Sequence, residues 1–244
     1  MDERLVRIRE SERKSHTGIY RNEELYNTNS WLQKPIKTVQ EISLLFDEYS
    51  ELRVLDLGCG IGRNSIYIAE RFKNKNCIVD CIDLLDIAIE KLMKNAMEHN
   101  VTPNINGITK SIEEFKIDSQ SCDFIMAISA LEYIDIEESF LIKLNEIKNG
   151  LRKNGVACFV INSNVREMKL NTREIIDAQF EVNLSTEKLQ EYLTKVFNGW
   201  DLLKTSVIEQ EYDIPRKMFI SRLHTDVITY VVNSKASRAS QWLR

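Results

Sequence analysis

One stretch constrains this chain more than any other: Val54-Leu55-Asp56-Leu57-Gly58-Cys59-Gly60-Ile61-Gly62-Arg63-Asn64. An apolar strand pattern ends in an acid, three glycines alternate, and a helical pattern begins. Glycine at alternate positions lets the backbone turn sharply and approach a ligand with no Cβ in the way. The helix behind the loop presents unpaired N–H groups and its positive dipole end to the same place. Strand, tight loop and helix in this order make a nucleotide-binding turn of an open α/β sheet.

The spacing separates two nucleotides. A dinucleotide fingerprint needs a third glycine or alanine three positions after the second. Arg63 stands there, where a large side chain obstructs helix–strand packing and the pyrophosphate. The spacing found is D-x-G-x-G-x-G, with Asp56 two residues ahead of Gly58. A carboxylate at that point repels a pyrophosphate and suits a cationic ligand. S-adenosylmethionine carries a sulfonium and an ammonium near its methionine end, so the loop favours it over NAD.

A second strand, Cys77-Ile78-Val79-Asp80-Cys81-Ile82-Asp83, carries the next acid 23 residues after Gly60. That is close to the spacing of about 20 at which an acid meets ribose hydroxyls. A carboxylate is acceptor-only and takes both the 2′- and 3′-OH. Asp83 also reads as a helix N-cap, and one side chain can serve both ends. Asp80, offset by an odd number of residues, points to the opposite face of the strand and sits mid-strand.

From residue 52 the pattern alternates regularly. Strands are predicted at 53–57, 77–82, 105–110, 123–128 and 156–162. Helices are predicted at 63–73, 85–99 and 136–151, the second marked by Ile89, Leu92, Met93 and Ala96 on one face. Strands alternating with helices imply a parallel sheet covered on both sides. Beyond 162 the pattern changes. Residues 163–184 read as polar and irregular, 186–197 as a helix, and 200–211 and 223–233 as a closing strand pair joined by 212–222. Ahead of the sheet, 1–14 read as a charged, solvated helical arm, 15–35 as irregular, and Pro35 opens a helix. Three units follow: a helical arm and lid at 1–50, the α/β unit at 51–235, and a loose tail at 236–244.

Composition sets the surroundings. The net charge of −4 and the lack of a basic stripe give nucleic acid or an anionic membrane nothing to bind. Cys59, Cys77, Cys81, Cys122 and Cys158 fall mostly inside apolar strand patterns, as core residues of a reducing compartment do. Cys77 and Cys81 have no histidine near them, and no metal site is expected. Charges interrupt every apolar run before the roughly 18 residues of a membrane span, and the N-terminus lacks a secretory core. The expectation is a cytoplasmic protein.

Taken together, these motifs resemble those of class I S-adenosylmethionine-dependent methyltransferases. The run from Leu55 to Ala69, LDLGCGIGRNSIYIA, resembles the superfamily's first motif, and its GRNSxYxA continuation is similar to the tellurite-resistance (TehB-like) group. Cys122 to Tyr133, CDFIMAISALEY, resembles the fourth-strand motif. Lys153-Asn154-Gly155 followed by VACFVI resembles the turn into strand five. The resemblance covers about residues 50–232. It implies a Rossmann-like, doubly wound, mostly parallel seven-stranded sheet with an antiparallel C-terminal strand.

It also implies a cofactor site. Asp56, Gly58, Cys59, Gly60, Gly62 and Asn64 would line the methionine end, and Asp83 with Leu84 the ribose. Ser111, Ile112 and Glu113 would meet the adenine, with Ala127 and Ile128 at the end of strand four. Many members carry Asp where Ser111 stands, so the adenine amino contact rests on a hydroxyl. In the segment ahead of the sheet, Tyr20, Tyr26, Trp31 and Lys34 read as a cover over the pocket, or as packing for the N-terminal helix.

Methyl transfer is an in-line displacement that needs mainly alignment, with a general base only where the acceptor is protonated. Glu132, Tyr133, Tyr20 and Arg216 are the candidate substrate-facing residues. The tellurite-resistance group carries a His-Arg pair before the last strand; here Arg216 has no preceding histidine, which weakens a chalcogen oxyanion substrate. His16 and His224 border the expected pocket, and His99 faces solvent. The reading is transfer of a methyl group from S-adenosylmethionine to a small-molecule acceptor, leaving S-adenosylhomocysteine. Methylation of a protein or RNA, or non-catalytic binding of S-adenosylmethionine, are the alternatives, and the oligomeric state is open.

Overall fold

Short apolar runs between Glu51 and Lys169 pair into a sheet whose central strands are buried on both faces. The computed structural model describes residues 3–28, 30–216 and 218–234. Its strands are β1 (Glu51–Leu57), β2 (Asn76–Asp83), β3 (Ile105–Thr109), β4 (Cys122–Ile128), β5 (Leu151–Lys169), β6 (Ile175–Ile176), β7 (Asp201–Pro215) and β8 (Ile220–Asn233). The helices are α1 (Glu3–Asn22), α2 (Lys37–Ser43), α3 (Ser65–Arg71), α4 (Asp86–Glu98), α5 (Glu137–Gly150) and α6 (Thr186–Val196). Along the sheet the order is β3-β2-β1-β4-β5-β8-β7, with β6 paired to β5 outside this path. β1 to β5 run parallel, and β8 lies antiparallel between β5 and β7.

Period-two alternation divides the core. On one face Leu55, Leu57, Ile125, Ala127 and Phe159 pack against α5 and α6 through Phe140, Leu144, Leu189 and Leu193. On the other, Val54, Val79, Phe124, Met126 and Cys158 pack against Val39, Ile66, Ala69 and Leu92. Each fully buried side chain of this size contributes about 1.5–3 kcal/mol. Strand order reverses between β1 and β4, so their carboxyl ends splay apart and leave the crevice in which ligands of such sheets bind.

Two regions depart from the sequence reading. Residues 15–22, expected to be irregular, continue the arm as one helix, Glu3–Asn22. β5 runs on to Lys169 rather than stopping near 162, and the strands of the final hairpin extend to Pro215 and resume at Ile220, further than the expected joint across 212–222 allows. Its continuation beyond residue 162 pairs with β8 as far as Lys169 opposite Ser221. That backbone pairing overrides the polar composition. The tail expected at 236–244 lies outside the described residues.

Gly62 fixes how α3 and α4 meet the loop. Its φ is +96°, and a Cβ built there falls 2.6 Å from Leu92 Cδ1 and 2.9 Å from Ile66 Cγ1. Strain in the left-handed region and overpacking act together at this position. Gly62→Ala is expected to lower stability by about 3 kcal/mol in urea unfolding; a variant as stable as the parent would refute the packing role.

Candidate active site

The crevice between β1 and β4 opens into a pocket of about 730 Å³, part of it continuous with solvent. Its floor comes from strand ends: Gly58 after β1, Asp83 and Leu84 after β2, and Ser129 and Ala130 after β4. Ser111, Ile112 and Glu113 form one wall. Gly58, at φ +76°, passes so close to Ala130 that an added Cβ would lie 2.4 Å from the Ala130 Cβ. Gly58 and Cys59 donate their N–H groups to Ile82 O at 2.8 and 3.0 Å, which pins the loop onto β2. Ser129 is left-handed at φ 50° and turns the chain out of β4.

Asp83 is held from two sides. Gly60 N donates to its Oδ2 at 2.9 Å and Leu85 N to its Oδ1 at 3.0 Å. Burial pushes the carboxyl above its ordinary range, while these N–H donors and the charge of His16 pull the other way. A carboxylate has about four lone-pair positions, more than these backbone donors occupy, which leaves room for a ligand hydroxyl. Ser111 Oγ is buried without a hydrogen-bond partner, which suits a ligand that brings its own polar group.

The roof is α1. Arg9, Arg13, His16 and Tyr20, spaced by four, three and four residues on one helical face, all line the pocket. Ion pairs and hydrogen bonds hold the helix down. Arg4 grips Asp177 at 3.0 Å and donates to Phe180 O at 3.0 Å, Arg9 pairs with Glu113, and Ser11 donates to Gln179 at 2.8 Å. Near its other end, Ile19 and Tyr20 pack with Ile61 and Ala88.

Residues 54–155 match the family described as methyltransferase domain. A ubiquinone biosynthesis O-methyltransferase of Rickettsia bellii is 26% identical over 175 residues, 71% of this chain and 68% of that protein. The crystal structure of TehB from Haemophilus influenzae superposes with a TM-score of 0.62 at 20% identity, over 85% of this chain. The match covers 64% of the TehB chain, less than two thirds of it. A 1,6-didemethyltoxoflavin-N1-methyltransferase of Burkholderia thailandensis, solved with bound S-adenosylhomocysteine, superposes at 0.56 with 13% identity over 92% of this chain and 87% of that one. The domain is a class I, S-adenosylmethionine-dependent methyltransferase. Its sheet is the mixed, mostly parallel one that the motifs imply, and S-adenosylmethionine is its cofactor.

The residues present fit that cofactor. The open lone pairs of Asp83 face the pocket, Ser111 Oγ awaits a partner, and Ile112 offers an apolar surface beside it. Of the residues expected to touch the cofactor, Gly58, Asp83, Leu84, Ser111, Ile112 and Glu113 line the pocket. Gly60 lies beneath Tyr20, whose hydroxyl would stand 3.0 Å from an added Cβ.

Other expected cofactor residues act behind the wall. Asp56 is 1% exposed and accepts from Ser65 Oγ under α3, because alternation along β1 puts it on the face of Val54. Gly62 packs against Leu92. Asn64 accepts from Ile36 N at 3.1 Å and anchors the entry to α2. Cys59, Ala127 and Ile128 sit in or against the core. Trp31 and Lys34 are not over the pocket either: Trp31 is 54% exposed beneath the Arg63 guanidinium, and Lys34 O accepts from Arg63 Nε at 2.8 Å. Tyr26 donates to Arg63 O at 3.0 Å and lies edge-on to His99.

Among the substrate-facing candidates, Tyr20 and Tyr133 line the pocket. Arg216 does not, being locked in a two-pronged pair with buried Glu167. Glu132 points into the protein, where Asn162 donates to its Oε1 from both backbone and side chain. Arg9, Arg13 and Glu181 line the pocket outside the sequence expectation. The two arginines show in the sequence only as members of the 9, 13, 16, 20 stripe.

Burial pushes the carboxyls of both Asp56 and Glu132 up to about 7. A folded-state pKa above the unfolded value means that the native state binds the extra proton. Stability from each group is therefore full below pH 4 and is lost as pH rises through 7, at up to about 1.4 kcal/mol per pH unit. Glu132→Gln keeps an oxygen for Asn162 and removes the charge. Its melting temperature is expected to exceed that of the parent at pH 8 and match it at pH 5; an equal difference at both values would rule out the buried charge.

Proposed function

We propose that this chain transfers a methyl group from S-adenosylmethionine to a hydroxyl of a small aromatic acceptor. The observation that carries this reading is an aromatic row on the acceptor side of the pocket. His16 lies 5.7 Å from Tyr20 and, edge-on, 6.1 Å from Tyr133, and Tyr133 stacks on Phe180 at 5.3 Å and 24°. Planar rings pack on such a row by offset and edge-to-face contacts. The curated relatives are named O-methyltransferases of ubiquinone biosynthesis, and that name agrees in substrate class with the row.

S-adenosylmethionine, when bound, supplies a methyl group on an electron-poor sulfonium. The chain's residues do the rest. Asp83 and Ser111 hold the nucleoside end, and Tyr133 with Tyr20 sets the plane of the acceptor. A hydroxyl acceptor must lose a proton as its oxygen bonds to the methyl carbon and the carbon–sulfur bond breaks. His16, between the two tyrosines, is placed to take that proton and is supported by the negative charge of Asp83. Arg13 adds a cation at the pocket wall for an acidic substituent. α1 (within the arm and lid of 1–50) closes this side against water. Among the described residues no helix is long and apolar enough to cross a membrane, in keeping with a cytoplasmic enzyme.

The test is conversion of S-adenosylmethionine to S-adenosylhomocysteine with catechol and dihydroxybenzoate acceptors. Methyl ether formation is expected. Turnover with amines or proteins and none with phenols would overturn the acceptor class, and binding without any turnover would favour the non-catalytic alternative. His16→Ala is expected to lower kcat about a hundredfold and to remove the acid limb of the pH–rate profile. Asp83→Ala is expected to weaken S-adenosylmethionine about tenfold or more, read by titration calorimetry; unchanged affinity would remove Asp83 from the ribose site.

A further inference from the structure

We propose that Glu209, His224 and Asp226 form a binding site for a divalent transition-metal ion, outside the methyl-transfer pocket. β7 and β8 pair antiparallel with Glu209 opposite Asp226 and Glu211 opposite His224. Side chains two apart on a strand share a face, so EQE on β7 and HTD on β8 make a two-by-two array of ligand-bearing groups. Ligand atoms of Glu209, His224 and Asp226 already lie within 4.8 Å of one another. In a tetrahedral site, groups bound at about 2.0–2.1 Å stand about 3.4 Å from one another, so the three side chains draw together around the ion.

Asp226 has the support a ligating carboxylate needs. It is 8% exposed, and both of its hydrogen bonds, from Asn164 Nδ2 at 3.2 Å and from Thr186 Oγ1, go to Oδ2. Oδ1 is left for an ion. Such hydrogen bonds orient metal-binding groups in known sites. Glu211 places a further carboxylate 3.6 Å from His224 Nδ1.

The local charge balance favours a cation. Arg222 reaches Glu211 at 3.8 Å but is held by Asp213 at 2.8 Å. Arg166, in register with His224 on β5, is exposed and attracts Asp226. A divalent ion would replace Arg166 as the counter-charge. An imidazole with carboxylates suits zinc or manganese better than magnesium, which prefers an all-oxygen octahedron. The five thiols are all buried and do not compete for the ion.

The site adjoins the pocket through a polar chain. Thr186 Oγ1 meets Ser163 Oγ at 3.0 Å, and Thr225 bridges Ser163 O and Asn162 Oδ1 at 3.2 Å each. Asn162 in turn holds Glu132, next to Tyr133. An ion would thus brace the strand ends behind the acceptor wall.

The test is thermal melting of the chelator-treated chain with zinc, manganese or magnesium ions, with no activity readout. Zinc and manganese at about a hundred times Kd are expected to raise Tm by about 5 °C, with little effect of magnesium. His224→Ala and Glu209→Gln, the latter a change at an exposed position, are expected to lose the shift. No shift in the parent, or the same shift in both variants, overturns the site. An equal response to magnesium overturns the transition-metal class.

Discussion

The hydrogen bond from Gly60 N to Asp83 Oδ2 joins the turn after β1 to the end of β2, and the cofactor cradle depends on it. A buried carboxylate is costly unless hydrogen-bonded, and backbone N–H groups are the donors a tight loop has to offer. Gly60 exposes its N–H by turning left-handed at φ +53°. Leu85 N supplies the second donor as the chain enters α4. One side chain therefore sets the height of the glycine loop and holds the chain at the entry to α4, although the N-cap itself is Leu85 rather than the Asp83 that the sequence suggested. Hydrogen bonds to a charged group contribute about 1.5–3 kcal/mol each, which offsets part of the cost of burying Asp83.

Against that fixed floor, the roof is held lightly. α1 is attached at one end by Arg4–Asp177, with both side chains about two-fifths exposed, and by Arg9–Glu113, which is more sheltered. Exposed pairs contribute about 0–1 kcal/mol each. Its apolar anchorage consists of Ile8, 1% exposed, and a small cluster around Tyr20 and Ile61. The sheet, by contrast, buries whole rows of aliphatic side chains on both faces. The element that brings His16, Tyr20 and Arg13 to the pocket thus buries less apolar surface than the sheet beneath it. That weaker attachment supports the proposal that α1 closes over the methyl-transfer site.

The sequence revealed the floor and obscured the roof, and the reason is physical. Gly58, Asp83 and Ser111 sit at strand ends, where apolar runs stop abruptly and backbone geometry demands particular residues. Residues 15–22 have few apolar side chains, because the inner face of α1 meets a polar pocket rather than a core. Hydrophobic periodicity therefore failed there, although the 9, 13, 16, 20 spacing is helical. Asp56 was legible as unusual, but its role depended on which face of β1 it occupied, and the neighbouring Val54 and Ser65 decide that. Trp31 looked available for a ligand until the tertiary fold laid it beneath Arg63, whose Nε also donates to the backbone carbonyl of Lys34. Arg216 was likewise taken by Glu167, a partner 49 residues away that no local pattern discloses.

Glu132 shows how the same chemistry serves structure at one position and function at the next. Its neighbour Tyr133 stacks on Phe180 and faces the pocket, while the Glu132 carboxylate turns inward to Asn162. Its backbone carbonyl also accepts from Val182 N at 3.0 Å, tying the turn after β4 to the segment that carries Phe180 and Glu181. The acid therefore holds together two separate stretches of the acceptor wall. Its Oε2 has no partner and its pKa lies near neutrality, so the wall carries a proton in the more stable of its two forms below about pH 7. An acid that needed only to hold Asn162 could be replaced by an amide without loss.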